Sequence, residues 1–174
     1  MRYNIFNRAH LPLKTALLSG CISLSKIASD KSDGIKQILE IVEKVLNTYN
    51  EQISYEALHV LPLIFEYEPA ISSNYTTEHN SIAMVARSLS KSLQSYQAQQ
   101  KNHAHLLKDI VKRYNDFVLL NYNHMDDEEA VLNEVLWRYF SDNVLKQTEE
   151  KMDILPHLVN KYPQKTGLHF ATAA

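Results

Sequence analysis

The chain has 174 residues, 45% of them hydrophobic and 22% charged, with a formal net charge of −2. This is the balance of one globular domain whose core needs no disulfide staples. No basic stripe marks a nucleic-acid surface, no apolar run approaches the roughly 20 residues of a membrane span, and the lone Cys21 excludes an intrachain disulfide, which favours a reducing, cytoplasmic setting.

Three glycines and five prolines leave few tight turns, so long helices joined by a few loops are expected. The start, MRYNIFNRAHLPLK, is polar and broken and lacks the apolar region of a secretory signal. The first helix is expected over roughly 8–29. Phe6, His10, Leu13, Leu17 and Leu24 share one face there, and Pro12 is tolerated in a first turn. The polar SDKSDG stretch at 29–34 breaks it.

The second segment runs from about 33 to 67. Ile35, Ile38, Leu39, Val42, Val45, Leu46 and Tyr49 form its stripe, which continues through Ile53 and Glu56 to His59. Pro62 should kink or locally break it, and Pro69 marks its exit. The third is expected to begin after SSNYTTEH, with His79 at its opening, and to run to about 97; the polar run QAQQKN follows. The fourth, roughly 103–139, carries Leu106, Leu107, Ile110, Val111, Tyr114, Phe117, Val118 and Tyr122, and reaches His124, Val131, Leu132, Val135 and Leu136. After Ser141 a short fifth helix leads to Pro156, then an irregular tail to Ala174.

Several residues on these segments are of metal-ligand type. His124 and Glu128 stand one helical turn apart and project from one face. Alone, such a pair is common and usually marks a solvated face. Gln52, Glu56 and His59 share a second face beside the apolar VLPLIF, where an unpaired carboxylate is costly unless it meets a cation or a metal. A salt bridge to lysine serves equally there. His10 lies on an apolar face, where a satisfied core histidine is the commoner case, and His79 at a helix start is usually a surface or capping residue. His103, His105, His157 and His169 lie in polar or irregular stretches and receive no role.

Together the residues read His, Glu, His, then His-x-x-x-Glu, one set per helix. This order resembles the hemerythrin-like family of bacterial type. HVLPLIFEYEP at 59–69, EH at 78–79 and NHMDDEEAVLNEVLWRYFSD at 123–142 are similar to phrases of that family, and the resemblance spans roughly residues 4–142. It implies an all-α, up-down-up-down four-helix bundle over residues 1–142, with a helical extension and tail over 143–174. It also implies a non-heme di-iron site that binds dioxygen or nitric oxide, or that handles or senses iron. By that pattern His10, Glu56, His79, His124 and Glu128 are metal ligands.

Two family positions differ. Gln52 stands where a histidine precedes the first bridging glutamate, and Ala83 where a second histidine follows His79 by one turn. Gln52 offers a harder carbonyl oxygen, Ala83 offers nothing, and His59 is a candidate substitute or a residue that holds Glu56. A di-iron site, a single iron, and a metal-free bundle that serves as an interaction protein therefore all remain open. An enzyme is the less favoured reading, with Tyr55 and Tyr122 as candidate hydrogen-bond donors. A Ser-His-Asp set, a phosphate-binding loop and a CxxC pair are absent. No protein partner is indicated.

Overall fold

The computed structural model describes residues 2–27, 34–98 and 104–154. Among them the chain is almost wholly helical, with no strand. The elements are α1 (Asn7–Ile27), α2 (Gly34–Tyr55), α3 (Leu61–Tyr67), α4 (Pro69–Ala98), α5 (Ala104–Asp127), α6 (Asn133–Tyr139) and α7 (Asp142–Glu150), with a 3-10 turn over Lys151–Ile154. π-helical turns at Glu56–Val60 and Glu128–Leu132 join α2 to α3 and α5 to α6 as continuous rods. The break before Gly34, most of the 97–102 run, His103, His157, His169 and the tail beyond Ile154 lie outside the described residues.

The four long rods close a ring, α1 against α2 and α5, and α4 against α5 and α2. The long helices expected from the periodicity, and the all-α bundle that the resemblance implies, are therefore present. Its interior divides into two apolar clusters. One holds Leu13, Leu17, Val42, Tyr49, Ile53, Ile82, Leu89, Tyr114, Phe117 and Met125. The other holds Ile5, Phe6, Ala9, Tyr55, Tyr75, Leu132, Val135 and Leu145. Truncating such fully buried side chains to alanine costs about 2–5 kcal/mol.

The seam between the clusters falls at one level in all four rods. It passes between Ala9 and Leu13, Ile53 and Val60, Tyr75 and Ile82, and Met125 and Leu132. His10, Glu56, His79 and Glu128 occupy that seam, so the polar residues are closed in by apolar side chains from both ends.

Two segments depart from expectation. α4 begins at Pro69, ten residues before His79, which therefore sits in mid-helix rather than at an opening. The threonines that read as a loop instead bond back into the helix: Thr76 Oγ1 donates to the Ser72 carbonyl at 2.9 Å and Thr77 Oγ1 to Ser73 at 3.0 Å. Pro69 does not merely end the preceding helix. Glu68 leaves helical geometry at φ −134°, ψ 66°, and Pro69 starts α4 at the position where a missing N–H costs nothing. Pro12 is the sixth residue of α1, beyond the first turn. Elsewhere the rods match, with α5 and α6 together covering Ala104–Tyr139.

The expected fifth helix is α7. Phe140 turns extended, and Ser141 caps α7 by accepting the Val144 N–H at 3.4 Å. Arg2 strips across this end, bonding Asp142 at 2.9 Å and the Phe140 carbonyl at 2.6 Å, while Trp137 Nε1 donates to the Tyr3 carbonyl at 2.7 Å. Leu145 shares the second cluster with Ile5 and Phe6, so α7 packs on the bundle.

Candidate metal centre

His10, Gln52, Glu56, His79, His124 and Glu128 are each at most 4% exposed. The two glutamates lie at the centre, and each divides its oxygens between two groups of partners. Glu56 Oε1 is 3.2 Å from His10 Nε2 and accepts from Gln52 Nε2 at 2.9 Å, while its Oε2 is 3.4 Å from His79 Nε2. Glu128 Oε1 is 3.2 Å from His79 Nε2 and 3.3 Å from His124 Nε2, while its Oε2 is 3.2 Å from His10 Nε2. One ligand atom from each of Glu56, His79, His124 and Glu128 lies within 4.8 Å of the others, a group that could hold a metal ion.

Local structure sets this arrangement. Each glutamate is the first residue of a π turn. At the first, the Leu61 N–H reaches back to the Glu56 carbonyl, and Pro62 in the next helix has no N–H to offer. The wider turn re-aims side chains without ending the rod, the setting in which π turns recur at functional sites. Pro62 was the sequence signal for a disturbance there. The Glu128 turn contains no proline and left no such signal.

A second layer of carboxylates holds the imidazoles. His10 Nδ1 is 2.8 Å from Glu129 Oε1, and His124 Nδ1 is 2.9 Å from Glu78 Oε2. Lys14 Nζ donates to Glu129 at 2.9 Å and to Asp126 at 2.9 Å. A carboxylate on the far ring nitrogen fixes tautomer and orientation, leaving Nε2 for a metal. Sequence reasoning passed over Glu129 and gave Glu78 no role. Each adjoins a ligand of one helix yet serves a histidine of another, because consecutive helical residues point about 100° apart.

The electrostatics of the metal-free site follow. Burial opposes charge on His10, but the adjoining carboxylates of Glu128, Glu129 and Glu56 outweigh it and raise its pKa to about 11. Burial likewise opposes charge on His124, and Glu128 and Glu78 raise it to about 9. Burial would raise Glu128, yet its three histidine partners hold it well below the usual carboxylate range. The His10 hydrogen bond, against burial and with help from Lys14, brings Glu129 to about 2.

Hydrogen bonding alone leaves the site incomplete. Gln52 Oε1, Glu56 Oε2, Glu128 Oε2 and His124 Nε2 are buried with no hydrogen-bond partner. The ion-pair distances to three of these atoms are short, but their alignment is not that of a hydrogen bond. Buried polar atoms left without partners in this number are costly. Two carboxylates and three imidazoles are also the donor types of a transition-metal site in a bundle core, so the residues fit an ion.

Two sequence expectations fall outside the cluster. His59 is half-buried with its ring 5.9 Å from Tyr55, and burial, then Lys151, lower its pKa. It is not among the clustered ligands, because the π turn carries it off the Glu56 face. Tyr122 donates its hydroxyl to the Lys14 carbonyl at 2.9 Å, and Tyr55 belongs to the second apolar cluster. The tyrosine that shares the Gln52 and Glu56 face is Tyr49. Its hydroxyl is buried without a partner, and burial, then Glu56, raise its pKa. His105 is exposed on α5.

No helix among the described residues is long and apolar enough to cross a membrane. Compared with protein-family models and with curated proteins, the sequence matches none.

Proposed function

We propose that this chain is a hemerythrin-like, non-heme iron protein. Two ions would be held by His10 and Gln52 on one side and by His79 and His124 on the other, with Glu56 and Glu128 offering carboxylate oxygens to both. The observation that carries the reading is the division of oxygens: each buried carboxylate offers one oxygen to each histidine group. Iron in such a site supplies electrons and a position open to a diatomic ligand, dioxygen or nitric oxide. Glu129 and Glu78 orient the imidazoles, the two apolar clusters exclude water, and Tyr49 brings an unpartnered hydroxyl to the same face of α2. The role is binding, sensing or iron handling rather than turnover of a substrate, in the cytoplasm.

A metal-free interaction bundle is the second reading. It is favoured by Gln52 and Ala83 at ligand positions and by protonated His10 and His124, which balance the two carboxylates without an ion. The test is metal content by mass spectrometry on protein purified without oxygen, with absorption spectra before and after air. Near two irons per chain and a new near-ultraviolet to visible band support the proposal. No stoichiometric metal after ferrous iron is added leaves the metal-free bundle. If His124→Ala and Glu128→Ala retain full metal, the ligand assignment is wrong.

A further inference from the structure

We propose that the centre is two unequal metal positions, a nitrogen-rich one that fills first and an oxygen-rich one that holds its ion loosely and accepts Mn2+ in place of iron. The inference rests on the metal-binding reading above. The donors divide unevenly. His79 and His124 converge on Glu128 Oε1 at 3.2 and 3.3 Å, with Glu56 Oε2 3.4 Å from His79. These four residues already lie together, with two imidazoles and two carboxylates.

The other side has one imidazole. His10 Nε2 faces Glu56 Oε1 and Glu128 Oε2, and the remaining donor is Gln52. Gln52 is 2% exposed, and its Oε1 has no partner while its Nε2 is bound to Glu56. An amide carbonyl is neutral and hard, and a set dominated by oxygens discriminates less against Mn2+ than an imidazole-rich set does. His10 is also the ligand most engaged elsewhere, with Glu129 on Nδ1 and both glutamates on Nε2. An ion there competes with contacts to Glu56, Glu128 and Glu129, whereas His124 is held by Glu78 and Glu128.

Anaerobic calorimetric titration of the metal-free full chain with Fe2+ alone, then of the one-iron form with Mn2+ alone, tests this. Two binding steps are expected, the second weaker by about tenfold or more, the scale on which small changes around a site move its affinity. Mn2+ is expected to fill the second step without displacing the first iron, and a brief chelator wash to remove the second ion alone. Gln52→His should strengthen only the second step, and Ala83→His, which adds an imidazole one turn beyond His79, only the first. Two indistinguishable steps, or a Gln52→His gain in the first, would overturn the inference and leave the metal reading standing. A single Fe2+ step with no Mn2+ uptake by the one-iron form would also overturn it and leave one iron. No binding at all would overturn both.

Discussion

Glu56 and Glu128, on different rods and 72 positions apart in the chain, each open a five-residue π turn in the middle of an otherwise α-helical rod. Both are wholly buried, and His10 and His79 each lie between them within 3.4 Å of an oxygen of both. The pairing gives the turns a reason. In an unbroken α-helix the residues after each glutamate would follow the same 3.6-residue spacing as those before it. The extra residue lets the apolar faces on either side keep to the core while the carboxylate is aimed separately.

Deleting Leu58 is therefore expected to be tolerated by the fold and harmful to the site. Leu58 lies within the first π turn and is 60% exposed, so its loss removes the extra residue without emptying the core. Circular dichroism should retain helical content while bound metal falls. Deleting Leu119, equally exposed but in regular α5, is the control. It rotates everything beyond it by about 100° and should unfold the bundle. If both deletions behave alike, the π turn has no special role.

Glu129 is expected to matter as much as a ligand. It accepts from Lys14 at 2.9 Å and meets His10 Nδ1 at 2.8 Å, so Glu129→Ala leaves His10 Nδ1 without its carboxylate and Lys14 with Asp126. Metal affinity should fall by about 10–100-fold, the usual effect of removing a carboxylate behind a metal-bound histidine. Glu134→Ala, on exposed α6 surface, should change nothing. Equal metal retention in the two variants would sink the assignment.

The sequence disclosed the four long rods because apolar periodicity leaves a trace. Val42, Val45, Tyr49, Gln52 and Glu56 recur at spacings of 3 and 4 and all prove buried. What it concealed was carried by side-chain chemistry that breaks the usual correlations. Ser72, Thr76 and Thr77 read as a loop because such residues compete with the helix, yet here the threonine hydroxyls bond along it and Ser72 Oγ donates across to the Leu61 carbonyl of α3. Glu129 looked like one more charge in a DDEE run; only the packing of α1 beside α5 makes it the partner of His10. His59 fails for a local reason, since spacing from Glu56 assumes 3.6 residues per turn and the π turn lies between them.

Gly20 should tolerate no side chain. A Cβ there would overlap the hydroxyl and ring of Tyr114, which is fully buried and donates to the Leu17 carbonyl at 2.9 Å. Gly20→Ala is expected to destabilise by about 1–3 kcal/mol despite alanine's better helix propensity. The denaturant midpoint measures it. A midpoint unchanged or raised would mean that α1 can move away from α5 at no cost.

Stability and metal binding should respond to pH in opposite directions. In the metal-free protein, His10 and His124 have pKa values raised from 6.5 to about 11 and about 9. Their contribution is full below pH 6.5 and is lost as pH rises through 9 and then 11. Glu129 is lowered from 4.5 to about 2, so its contribution is full above pH 4.5 and is lost as pH falls toward 2. The metal-free chain should thus be most stable between these ordinary values, 4.5 and 6.5. A metal instead needs neutral imidazole nitrogens, and its binding expels the protons that His10 and His124 hold. The rise in Tm on adding anaerobic Fe2+ should grow steadily from pH 6.5 to pH 9 as those protons become easier to remove. Proton release, followed by calorimetry in buffers of different ionisation enthalpy, should accompany binding at neutral pH. A Tm rise independent of pH, with no proton released, would mean that His10 and His124 are not the groups that meet the ion.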